Sequence, residues 1–170
     1  HLLSLFNEGF SENLVSKDDI DLSVNRYNNL LKRQDGESVV SIRNEMKIIM
    51  QNDFGVFRTG SVMVEGLNKL KNLRNRLSYI FVNDKNKIYN TAIIEALELE
   101  NLMSVALATA IAANERVESR GAHSREDFPD RDDKNWIKHS LVYKNDMIKY
   151  RPVNMNPKFV EKFLPVTRTY

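Results

Sequence analysis

Two hydrophobic rhythms run along this chain. Between Val39 and Val117 apolar residues return every third or fourth position, which marks helices with one buried face; beyond Gly121 they return every second position, which marks strands. Ahead of both, Ser16-Lys17-Asp18-Asp19 has the makings of a helix start. A hydroxyl there caps free backbone N–H groups, and acids suit the positive end of the helix. That helix offers Ile20, Val24, Tyr27 and Leu31 for burial and stops at Gln34-Asp35-Gly36. His1 to Asn7 read as the end of an earlier helix, closed by Gly9.

The pattern predicts three helices at the centre of the chain. The first turns Val39, Ile42, Met46 and Ile49 to one side and ends at Asn52-Asp53 and Gly55, with Phe54, Val56 and Phe57 as an apolar plug. The second starts near Gly60-Ser61 and carries Met63, Leu67, Leu70 and Leu77 on one stripe, opposite Lys69, Asn72 and Arg76. After a polar turn at Asn83-Asp84-Lys85-Asn86, the third runs from about Asn90 to Val117, roughly 40 Å if unbroken. Its second half, Leu102 to Ala113, is apolar nearly all round, so cover is expected on every side. Then Leu141 and Tyr143, and Ile148 and Tyr150, alternate with polar residues around Asn145-Asp146, a β-hairpin with a tight turn. Pro152, Pro157 and Pro165 make the tail extended.

The expected fold class is mainly α: a three-helix bundle, spectrin-repeat-like, preceded by short helices and followed by an irregular charged loop and a β-hairpin tail. The corresponding division is 1–35 as end helices and connector, 36–120 as bundle and 121–170 as irregular extension.

Composition narrows the function classes. The 170 residues are 42% hydrophobic and 28% charged, ordinary for a globular protein and unlike a disordered one. Net charge is +2 and no basic run is interleaved with aromatics, so no nucleic-acid partner is expected. With no cysteine there is no disulfide framework, thiolate metal site or cysteine nucleophile. The longest charge-free stretch, Asn101 to Asn114, is shorter than the roughly 20 apolar residues of a bilayer span, which favours a buried helix. The chain opens on His1 rather than Met, and the expectation is a piece of a longer protein.

Chemistry is most concentrated between Glu118 and Leu141, in ESRGAHSREDFPDRDDKNWIKHSL. Arg120 and Arg125 bracket His123, and Glu126, Asp127, Asp130, Asp132 and Asp133 interleave with Arg131. His123 could be an acid–base group kept neutral by two cations. The residues favour a packed histidine, in a loop whose charges are neutralised by Asp127, Asp130 and Asp132. The acids lack the alternation and distal glutamate of a calcium loop, and the histidines share no ligand spacing. Arg58 sits at a helix boundary, placed to cap carbonyls of the helix before it. Neither a nucleophile elbow nor a phosphate-binding glycine loop occurs. From these residues no catalytic, cofactor-binding or metal site is expected.

The same segment closely resembles the C-terminal signature of the flavoprotein subunit of succinate dehydrogenase and fumarate reductase. MQNDFGVFRTGSVMVEGL (Met50–Leu67), ALELENLMSVALATA (Ala96–Ala110), YRPVNM (Tyr150–Met155) and RTY (Arg168–Tyr170) resemble that family in the same order, the bacterial succinate dehydrogenase type best. The resemblance implies a C-terminal helical domain behind a flavin domain and a capping domain. It implies FAD in the full-length protein, with electrons passing to an iron–sulfur subunit and on to quinone, and membrane anchor subunits as indirect partners. The expected location is peripheral, on the cytoplasmic side of the bacterial inner membrane. The family's flavin-linking, proton-shuttling and substrate-binding residues fall upstream of His1, so this chain alone is expected to be inactive and to hold no cofactor. Arg120, Gly121, His123, Arg125, Asp127 and Arg131 are expected to form a structural signature that braces the bundle against the flavin domain. A free-standing helical interaction module and an L-aspartate oxidase-like flavoprotein are the alternatives. A reading frame that continues upstream into a flavin domain would discriminate them.

Overall fold

The structure is a computed structural model that describes residues 16–166. The readings for His1 to Gly9 and for Arg168–Tyr170 lie outside the described residues. Among the described residues four α-helices dominate, joined by short strands, so the fold is mainly α.

Helix α1 (Lys17–Lys32) begins as the residues dictate, with the Ser16 side chain accepting from the Asp19 N–H at 3.1 Å. Its apolar face behaves differently from expectation. Only Leu30 is buried, with Tyr27 and Leu31 packed at the core edge, while Ile20 and Val24 stay about half exposed. The helix reaches the core through its last turns, and its first half projects past it. Arg26 fastens it sideways, pairing with Glu100 and donating to the Leu97 carbonyl.

A two-residue strand β1 (Glu37–Ser38) leads into α2 (Val39–Asp53), and β2 (Phe57–Arg58) precedes α3 (Gly60–Arg76). A short 3-10 turn at Leu77–Tyr79 passes into β3 (Ile80–Phe81), parallel to β1. Helix α4 (Thr91–Glu115) follows, with Asn90 capping the Ile93 N–H. Helices α2, α3 and α4 pack against one another in all three pairs. Their shared core holds Val39, Ile42, Met46 and Ile49 as expected, then Met63, Leu70, Leu73, Ile93, Leu99, Met103 and Leu107. Leu67 and Leu77 are only partly buried, and Leu73, which the expected stripe left out, takes an inner position. Of the apolar plug, Phe54 is buried, but Val56 and Phe57 point outward. The helix has already ended there: Val56 lies in the bend after it and Phe57 opens β2.

Gly66 of α3 lies tight against the end of α2. A Cβ at that position would lie 2.5 Å from Asp53 Cβ and 2.6 Å from the Phe54 ring.

By length and composition α4 could cross a membrane. In this fold nine of its residues line the core, four of them alanines that let neighbouring helices approach. Cover is incomplete, however: Leu102 is 46% and Val105 64% exposed. Part of the missing cover comes from β5 (Lys138–Val142), which lies against α4 and pairs antiparallel with β6 (Ile148–Pro152). The connection at Lys144-Asn145-Asp146 is longer than a two-residue turn. Asp146 adopts φ 60°, the left-handed position of a three-residue loop. Arg74 of α3 grips the Asp146 carboxylate with both terminal nitrogens, at 2.9 and 3.0 Å.

Candidate functional site

The charged segment starts where α4 stops, at Arg116, whose backbone turns extended. It folds back over the helix ends, and β4 (Ser124–Arg125) pairs in parallel with β2. The Glu126 N–H donates to the Arg58 carbonyl at 2.8 Å, extending that short ladder. Arg120 and His123 exchange backbone hydrogen bonds of 2.8 and 3.0 Å around Gly121-Ala122. Gly121 has φ 59° and Ala122 does not share the positive φ, the pattern of a two-residue hairpin with glycine first. Inside the loop the Ser119 hydroxyl accepts from the Arg125 N–H and donates to the Phe128 carbonyl, both at 2.8 Å.

Glu118 sits at the centre of this fold-back, fully buried. Arg120 meets it with Nε at 2.8 Å and Nη2 at 2.9 Å, Arg116 reaches it from the other side, and the Asp132 N–H donates at 2.9 Å. Burial alone would raise the Glu118 pKa; the bonds from Arg120, the Asp132 amide and Arg116 outweigh it and hold the carboxyl below its usual range. Arg120 also reaches Asp133 at 2.7 Å, and Arg131 joins Asp133 at 2.8 Å while donating to the Val166 carbonyl.

Arg125 is the second buried charge, only 3% exposed. Its guanidinium forks onto Asp127 at 2.7 and 2.8 Å, and its remaining nitrogen reaches the carbonyls of Asn114 and Arg116. Asp127 in turn accepts from the Gly60 N–H at 2.8 Å, so one carboxylate neutralises the arginine and sits at the positive end of α3. The Arg125 fork and the Gly60 amide drive the Asp127 pKa far below the carboxylate range.

His123 bridges Arg58 and the helix end. Arg58 Nη1 lies 2.9 Å from Nδ1, and Nε2 lies 3.0 Å from the Arg116 carbonyl. Arg58 can only donate, so Nδ1 is the acceptor and Nε2 carries the proton: a neutral imidazole. Burial lowers its pKa, and the charges of Arg58, Arg125 and Arg116 push the same way.

The cations around His123 are therefore not the pair expected. Arg125 contributes, but Arg120 turns to Glu118 and Asp133, and Arg58 and Arg116 take its place. Nor do three aspartates share the neutralising. Asp127 does so, whereas Asp132 caps the amides of Lys134 and Asn135, and Asp130 offers its carbonyl to the Ser119 N–H. Arg58 does cap a carbonyl beyond the preceding helix, that of Gly55, at 2.7 Å.

Sequence reasoning passed over Glu118 and Arg116. A signal was present: Arg116, Glu118 and Arg120 alternate along an extended segment, which turns all three side chains the same way.

Chemically the cluster is closed. Its buried ionic groups spend their donors and acceptors on one another and on backbone. Among the described residues the only buried side-chain polar atom without a partner is Arg43 Nε, on α2. No group of acids and histidines among them could hold a metal ion. Within the cluster the buried carboxylate of Glu118 and the buried guanidinium of Arg125 are both paired inside this chain.

Residues 43–170 match the family described as the fumarate reductase flavoprotein C-terminus. The succinate dehydrogenase flavoprotein subunit of Coxiella burnetii is 43% identical over 99% of this chain, and that of Rickettsia bellii 37% over 92%. The chain spans 29% and 27% of those relatives' lengths. Among solved structures, a variant of Escherichia coli quinol fumarate reductase superposes with a TM-score of 0.77 at 26% identity, over 92% of this chain and 28% of that one. A quinol–fumarate reductase with menaquinol molecules gives 0.79 at 29% identity, over 88% of this chain and 27% of its own. Adenylylsulfate reductase from Archaeoglobus fulgidus shares the fold at 14% identity, with a TM-score of 0.74 over 95% of this chain and 28% of that one. With the match covering everything from α2 onward, the chain belongs to the C-terminal family of succinate dehydrogenase and fumarate reductase flavoprotein subunits.

Proposed function

We propose that this chain is the C-terminal domain of a bacterial succinate dehydrogenase flavoprotein subunit, and that its residues serve structure rather than chemistry. In the longer protein FAD is held by upstream flavin and capping domains and succinate is oxidised to fumarate. Electrons then pass to an iron–sulfur subunit, and through membrane anchor subunits to quinone. The assembly sits peripherally on the cytoplasmic side of the bacterial inner membrane. Within the chain, residues 1–35 end the flavin-domain helices and connect them, 36–120 form a three-helix bundle of spectrin-repeat type, and 121–170 form the irregular extension with its hairpin.

The observation that carries this reading is the self-sufficiency of the charged cluster. Arg120, His123, Arg125, Asp127 and Arg131 each have partners within this chain, and Gly121 supplies the turn that lets Arg120 and His123 pair. Such a cluster stiffens a surface; a reacting group would need an unspent proton site. In our reading the stiffened surface seats the flavin domain. Purified chain should show neither flavin absorbance nor dye reduction with succinate above a heat-killed control. Stoichiometric flavin or genuine turnover would overturn this reading. In the full-length enzyme, Arg120→Ala should lower thermal midpoint or assembly and leave turnover per bound flavin near normal. Unchanged stability with collapsed turnover would make the motif catalytic.

A further inference from the structure

Beside the charged cluster two cations meet no carboxylate among the described residues, and they face the same hollow. Arg58 spends Nε on the Gly55 carbonyl and Nη1 on His123, which leaves Nη2 without a partner among the described residues. Nη2 is not among the buried partnerless atoms, so it opens to solvent. Lys138 lies over the rings of Trp136 and Tyr150, 4.3 and 4.1 Å from their centroids. Between them is a cavity of about 340 Å³, floored by Ala112 and Ala113 of α4 and bordered by Arg116, His123, His139 and Ser140. No acid lines it. The nearby carboxylates are taken, Glu118 by Arg116 and Arg120, and Asp127 by Arg125.

We propose that this hollow is an oxyanion site for a carboxylate or phosphate group, gripped by Arg58 Nη2 and Lys138 Nζ and flanked by His139 and Ser140. Two like charges facing one hollow over an apolar floor repel each other, and an anion between them converts the repulsion into two charge-assisted hydrogen bonds. Burial lowers the Arg58 pKa with no acid to offset it, which agrees with a guanidinium short of a counter-charge. Arg116 and His123 shape the walls, with Arg116 Nη1 and Nη2 and His123 Nε2 already committed to protein acceptors. The anion can be free in solution or an acidic side chain from another stretch of polypeptide; the donors are the same for both. The site stands apart from the reading of the chain as a structural domain.

The test is a titration of the 170-residue chain with inorganic phosphate, and separately with succinate, at ionic strength held constant by chloride. Side-chain NMR signals of Arg58, Lys138 and His139 should shift saturably. Lys138→Gln should weaken the response about tenfold, the value of one charged hydrogen bond. Lys134→Gln, outside the hollow, should leave it unchanged, and Arg58→Lys serves as the second variant should Lys138→Gln misfold. A response that never saturates, or that Lys138→Gln leaves intact, overturns the proposal. Repeating the titration on protein extended to the relatives' length identifies the source. A retained response assigns a free anion; a lost one places an acidic side chain in the hollow.

Discussion

Glu118 and Arg120 stand two residues apart and are joined by a two-pronged ion pair, Nε to Oε1 at 2.8 Å and Nη2 to Oε2 at 2.9 Å. The carboxylate is fully buried, so the arginine is what makes its burial tolerable. Arg120→Ala would leave Arg116 and one amide to hold it. Truncating one side of a buried pair costs more than the pair itself contributes. We expect a loss of about 2–4 kcal/mol in denaturant unfolding, the low end reflecting the partial exposure of Arg120. Glu118→Leu combined with Arg120→Met should cost less than Arg120→Ala alone, because the buried carboxylate is gone and Arg116 keeps the Trp136 and Lys138 carbonyls as acceptors.

The same cluster sets the acid limit of the fold. Glu118 and Asp127 have folded pKa values below their unfolded ones. Their contribution is whole above the unfolded carboxylate range, about pH 4, and is lost as pH falls through the folded values. Stability measured from pH 5 downward should fall steeply in wild type and less steeply in Glu118→Gln.

His123 acts in a higher window. Its folded pKa is depressed, so the unfolded chain takes up a proton first. Its contribution is present above about pH 6.5 and is lost as pH falls from there toward the folded value. A second proton on Nδ1 would also face Arg58. Unfolding free energy should decline between pH 7 and pH 5, and His123→Gln should flatten that slope. An unchanged slope in the variant would assign it to other groups.

Gly66→Ala tests the tight contact between α3 and the end of α2. The added methyl would press on Asp53 and the Phe54 ring, at distances that real side chains do not reach. Backbone shift and strained packing should cost about 1–3 kcal/mol, read as a lower thermal midpoint with unchanged helix content.

Leu102 and Val105 are exposed on α4, and two charged replacements there should spare the fold. Leu102→Lys with Val105→Glu should reduce self-association in sedimentation and dye binding to apolar surface. Met103→Ala, one position along but fully buried, should instead cost about 2–5 kcal/mol.

What could be read from sequence divides along physical lines. Val39, Ile42, Met46 and Ile49 were legible because their helix lies between two others, and a threefold-to-fourfold spacing marks the side that is covered. Ile20 and Val24 have the same spacing on α1, yet nothing described covers them. Periodicity identifies a face, not its occupant. The charged loop stood out in the sequence by its density of charge and its resemblance, but its wiring did not. Glu118 is buried against the default for an acid, and one of its partners, the Asp132 amide, comes from fourteen residues further along the chain. Arg58, sixty-five residues before His123, could not be placed beside it by any local rule.

The hairpin of β5 and β6 is fastened at both ends. Arg116 holds its base through the Lys138 carbonyl, and Arg74 holds its tip through Asp146. A lone two-stranded hairpin is barely stable in water and opens by itself. Tied at two points to α3 and α4, this one cannot fray without breaking the Arg74–Asp146 ion pair or the Arg116 hydrogen bond to the Lys138 carbonyl. In hydrogen-exchange experiments its paired amides should therefore open together with the helical core, as one cooperative unit, despite lying at the surface.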